Sequence, residues 1–120
     1  MAASWLHLRG SAARVPRGKM RAVAYRIEFS REARKHFSAL NAHQRSAIRD
    51  GIVEQLVHQP TVETQHRKLM RPNTLAGYRL RIDPLRVYYD VLEDDEVVLV
   101  QAIGVKIRNR VLVGGKEIEL

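Results

Sequence analysis

From Tyr78 to Ile103 the chain reads as three extended segments with almost nothing between them. Tyr78-Arg79-Leu80-Arg81-Ile82 alternates apolar and basic side chains, Asp83-Pro84 supplies a turn, and Leu85-Arg86-Val87-Tyr88-Tyr89-Asp90-Val91 alternates again. A second turn at Glu93-Asp94-Asp95 leads into Val97 through Ile103, which is apolar nearly without interruption. Successive side chains of an extended strand point to opposite faces. The first two runs therefore predict strands with one buried face, and the third predicts a central strand buried on both. Turns this short force neighbouring strands to pair antiparallel, so the segment predicts a three-strand meander.

The residues before the meander change period. Val23 to Phe29 alternates, with Tyr25, Ile27 and Phe29 on one side, and predicts a further strand. Ser30 offers a helix N-cap, and Ala33, Phe37 and Leu40 then follow helical spacing over 31–40. A second helix is predicted from about Ala42 to His58 with Ile48, Ile52 and Leu56 as its core stripe, antiparallel to the first. Gly51 beside that stripe reads equally as a close helix approach or as a plain propensity cost. Gln59-Pro60 ends the helix, and Thr61 to Asn73 is expected to be an irregular connection. Gly114-Gly115, between 110–113 and 117–120, predicts a terminal hairpin. The sum is an α+β fold: strand, two-helix hairpin, three-strand antiparallel meander, with both helices on one face of the sheet.

At 120 residues there is room for one domain. No run approaches the roughly 20 apolar residues needed to span a bilayer, so no membrane partner is expected. The absence of cysteine excludes disulfides, thiolate nucleophiles and cysteine-held metals, and is compatible with a cytoplasmic location. Residues 1–22 are expected to be a disordered basic leader, with Met20 as an alternative start, and 23–120 to be the domain proper. Arg9, Arg14, Arg17 and Lys19 fall in the first 19 positions without any acid, which leaves 17 basic and 13 acidic residues in 20–120. A moderately basic domain favours an anionic partner.

Motifs for familiar chemistry are missing. The histidines have no metal-ligand spacing, and neither a Gly-rich phosphate loop nor a nucleophile elbow occurs, so no metal and no cofactor are expected. What remains is one face of the meander. If Tyr78, Leu80 and Ile82 face the helices, then Arg79, Arg81, Arg86 and Tyr88 point the other way. Lys68 would stand at one edge, with Lys106 and Arg108 at the other. Guanidinium forks suit phosphate, and an exposed tyrosine can stack on an unpaired base. The same pattern would equally arise from arginines that solvate an open face or pair with Glu28 and Asp90.

The segments Tyr25-Arg26-Ile27-Glu28-Phe29-Ser30, Gly77-Tyr78-Arg79-Leu80-Arg81-Ile82 and Leu85-Arg86-Val87-Tyr88-Tyr89, with Lys68-Leu69 and the Asp94-Asp95 turn, carry a resemblance to the RelE/ParE superfamily of bacterial toxin–antitoxin systems. It covers about residues 23–108 and implies the same order of elements as the patterns above. The superfamily's endonuclease branch implies metal-free cleavage of messenger RNA on the ribosome by attack of a 2′-hydroxyl on the adjacent phosphate. It also implies inhibition by a cognate antitoxin. Carried over residue by residue, this makes Lys68, Arg79, Arg81, Arg86 and Lys106 candidate catalytic residues, with Tyr88 and Arg108 as RNA contacts. For Arg86 a catalytic and a fold-supporting role both fit. Endonuclease members have a tyrosine near the C-terminus, and here none follows Tyr89; Tyr88 is the candidate substitute. The rival implications are a ParE-like inhibitor of DNA gyrase and a binding domain that has lost activity.

Overall fold

The computed structural model describes residues 23–118; the expected leader over 1–22 and the last two positions lie outside the described residues. Strand β1 (Arg26–Phe29) is followed by helices α1 (Arg31–Ala39) and α2 (Ala42–Leu56). Then come β2 (Arg67–Leu69), β3 (Tyr78–Ile82), β4 (Leu85–Leu92), β5 (Val97–Ile107), β6 (Arg110–Val113) and β7 (Lys116–Ile118). All seven strands form one sheet in the order β2-β3-β4-β5-β6-β7, with β1 parallel to β5. The meander and the terminal hairpin stand as the alternation predicts. The stretch expected to be wholly irregular contains β2, which pairs Lys68 with Arg79. Three residues are too short a run for periodicity to register.

Local chemistry sets the helix starts. The Ser30 hydroxyl accepts from the Ala33 amide at 3.1 Å, and Asn41 and Gln44 form a reciprocal capping box. Ala33, Phe37, Ile48, Ile52 and Leu56 are buried against Ile27, Leu80, Val87, Val98 and Val100 from the sheet's inner face. Phe29 and Phe37 meet edge to face at 5.6 Å between ring centres. A methyl group on Gly51 would overlap the Ile82 side chain, so this glycine marks the close approach of α2 to β3.

The edge of β5 is shared. β1 covers it from Val97 to Val100, and β6 covers it from Gly104 to Ile107. Side chains of the α1 segment bridge the gap. The Ser30 hydroxyl donates to the Gln101 carbonyl at 3.1 Å, and the Ile103 amide donates to His36 Nδ1 at 3.2 Å. These bonds satisfy the Gln101 carbonyl and the Ile103 amide where neither strand covers β5. At Gly104 a Cβ would lie 2.9 Å from Val111 Cγ1 and 3.0 Å from Val113 Cγ2, so only glycine lets β6 lie so closely over β5.

Candidate nucleic-acid interface

The outer face is built by cross-strand rows. Lys68 stands opposite Arg79, Arg79 opposite Tyr88, and Tyr88 opposite Ala102. In the next row Arg81 faces Arg86, Arg86 faces Gly104, and Gly104 faces Val113. Directly opposed residues share a face, so the predicted guanidinium groups and the phenol do converge on one side of the sheet.

That face is not open, which corrects the sequence reading. Tyr88 is 2% exposed, buried with Ala76 and Ala102 beneath Met70, Leu75, Val111, Val113 and Ile118. The cause is the β6–β7 hairpin together with the β2–β3 connection: Val111, Val113 and Ile118 of the one and Met70 and Leu75 of the other close over β4. Tyr88 therefore cannot offer its ring for stacking. Arg86 is 5% exposed, and its Nη1 donates to Asp83 Oδ1 at 3.0 Å and to the Leu85 carbonyl at 2.9 Å. Arg81 Nε lies 3.7 Å from Asp83 Oδ2. One carboxylate of the β3–β4 turn thus serves two arginines, in place of the Glu28 and Asp90 pairings considered from sequence. Glu28 instead accepts from Arg26, while Asp90 accepts from the Gly77 amide and from Gln101.

What stays accessible is a groove of about 340 Å³ lined by Leu69, Met70, Arg71, Arg79, Tyr88, Val111 and Ile118. Strands β2 and β6 are four places apart, so in a flat sheet they would be separated by roughly 19 Å. Lining one groove from both requires the sheet to curl into a trough. Arg79 Nε is buried within it, with no hydrogen-bond partner among the described residues. Among the described residues no protein group accepts from the Tyr88 hydroxyl, whereas that of Tyr89 donates to the Pro60 carbonyl at 2.7 Å. Desolvation raises the Tyr88 pKa, opposed by the Arg79 and Arg86 guanidiniums. Its phenol is a neutral donor flanked by cations.

Lys68, Lys106 and Arg108 are exposed and do not line the groove. Lys68 is the cross-strand neighbour of Arg79, while Lys106 pairs with Val111 farther along β5, and Arg108 turns into β6 with φ 60°. Two residues escaped the sequence reading. Arg71 joins the groove from the loop after β2, a strand that went unrecognised. Arg67 is buried, donating to the carbonyls of Val62 and Gln55 at 2.7 Å each, and thereby holds β2 and its neighbour Lys68 in place. Strand alternation would have separated the inward Arg67 from the outward Lys68. Among the described residues no three metal-ligating side chains lie together, and no helix is long and apolar enough to cross a membrane.

An inner face packed by a helical pair and an outer face of rowed cations define a RelE-like toxin fold. Two solved structures share it. One is the RelBE2 toxin–antitoxin complex of Mycobacterium tuberculosis, with a TM-score of 0.60 and 18% identity over 70% of this chain and 100% of that one. The other is the archaeal RelE–RelB complex of Pyrococcus horikoshii OT3, with a TM-score of 0.54 and 19% identity over 72% and 99% of the two chains. Residues 27–108 match the family model for the ParE toxin of type II toxin–antitoxin systems. The chain belongs to that family, and so is a RelE/ParE-type toxin. No curated protein matches it.

Proposed function

We propose that this toxin is a metal-free endoribonuclease that cuts messenger RNA on the ribosome in the cytoplasm and is held in check by a cognate antitoxin. The observation that carries this reading is the Tyr88 hydroxyl, without a partner among the described residues, in a groove beside Arg79 and Arg71. In the reaction the 2′-oxygen bonds to phosphorus as the bond to the 5′-oxygen breaks, leaving a cyclic phosphate and a 5′-hydroxyl. The amine of Lys68, the cross-strand neighbour of Arg79, takes the 2′ proton, and Tyr88 gives one to the departing 5′-oxygen. Arg79 and Arg71 hold the charge of the pentacoordinate phosphorus, with Arg81 and Lys106 adding to the field. Arg108 contacts the RNA backbone beyond the groove. Arg86 acts through the β3–β4 turn as a fold-supporting residue.

A second reading, inhibition of DNA gyrase without cleavage, is favoured by the family model, which describes ParE toxins. Primer extension on cellular messages after induced expression separates the two. Codon-phased breaks that disappear in Tyr88→Phe support the endonuclease. Growth arrest with intact messages and trapped gyrase–DNA complexes would overturn it.

A further inference from the structure

The groove has walls of different origin. Met70 belongs to the matched family region, whereas Val111 and Ile118 belong to the hairpin beyond residue 108, where the family match ends. We propose that it is a slot for one unstacked nucleobase of an RNA strand. The base lies between the two aliphatic walls and its phosphate rests on Arg79 and Arg71, which makes Val111 and Ile118 specificity-determining residues. This rests on the RNA reading above and adds to it a subsite that the family-matched segment alone does not build.

Three features of the lining select such an occupant. Its polar members, Arg71, Arg79 and the Tyr88 hydroxyl, are all donors, and no carboxylate lines the groove, so the ligand must be anionic and rich in acceptors. Its other members are aliphatic and suit the faces of a flat heteroaromatic ring. The volume of about 340 Å³ falls in the range of small-ligand sites.

Binding of a 2′-O-methyl trinucleotide, which cannot be cleaved, is compared by fluorescence anisotropy with binding of the same strand carrying an abasic central residue. The full chain is expected to prefer the base-containing strand about tenfold, in line with the usual contribution of one sandwiched base. Ile118→Trp, which fills the slot, removes the preference. Met70→Ala, at a half-buried position on the opposite wall, reduces it. Arg79→Ala weakens both strands alike. Equal binding of the two strands by the full chain, or a preference untouched by Ile118→Trp and Met70→Ala, overturns the slot. If neither strand binds while a peptide of mixed acidic and apolar residues does, the RNA reading itself falls.

Discussion

The two faces of one sheet have been closed in opposite ways. On the inner face two helices and the sheet bury fifteen described residues in a single cluster, among them Ile27, Ile52, Leu80 and Val98. On the outer face a short hairpin covers three, Ala76, Tyr88 and Ala102, under side chains that are themselves half-buried. The inner face is closed, because the inward residues of β1, β3, β4 and β5 pack with the helices in that cluster. The outer one keeps cations, a phenol with no acceptor among the described residues, and a groove. Stability and activity should therefore separate by face.

The largest effect is expected on the inner side. Ile52→Ala leaves a cavity at a fully buried position and should lower the unfolding free energy by about 2–5 kcal/mol in urea titration. Gly51→Ala pushes a methyl into Ile82 and should cost about 1–3 kcal/mol by the same measure. If either variant unfolds like the parent protein, the inner face is not the closed core described here.

The outer face should show the reverse. Tyr88→Phe preserves the buried ring and removes only a hydroxyl with no partner among the described residues. Stability should then stay within about 0.5 kcal/mol while RNA cleavage falls about 100-fold or more. Arg79→Ala should lose toxicity with its circular dichroism spectrum unchanged. Asp83→Ala tests the border between the roles, because it strips the 7%-exposed Arg86 side chain of its carboxylate. A loss of about 1–3 kcal/mol in stability is expected, and a matching loss in Arg86→Ala would assign that pair to the fold.

The same contrast explains what the sequence disclosed. Alternation over 78–103 and the helical stripe Ile48, Ile52 and Leu56 were legible because burial on one face imposes a period, and the inner face is the more fully buried. Which arginines share the outer face was legible for the same reason. Their exposure was not, because it depends on β6 folding across β5 at Gly104, a contact between segments that leaves no periodic trace in either. Asp83 read as turn chemistry, and nothing in its neighbours marks it as the partner of Arg86. His36 looked like an ordinary residue of a short helix, and its bond to Ile103 exists only because β1 and β6 leave that amide uncovered.

His36 joins the two regions and yields the smallest predicted effect. Its Nδ1 accepts from Ile103 on the central strand, while Nε2 packs beside Gly114 in the turn of the outer hairpin. Burial lowers its pKa below the ordinary value, opposed by Glu32 one turn earlier on α1. Above about pH 6.5 the imidazole is neutral in folded and unfolded chains alike. As the pH falls, the unfolded chain takes up its proton first, so stability must decline until the folded imidazole is charged as well. Protonation also removes the only acceptor that the Ile103 amide has on that edge among the described residues. Urea midpoints measured from pH 7.5 down to pH 5 should fall more steeply for the parent protein than for His36→Gln, whose amide oxygen can accept at any pH. Parallel pH profiles would mean that the imidazole is solvated and that α1 is tied to β5 by packing alone.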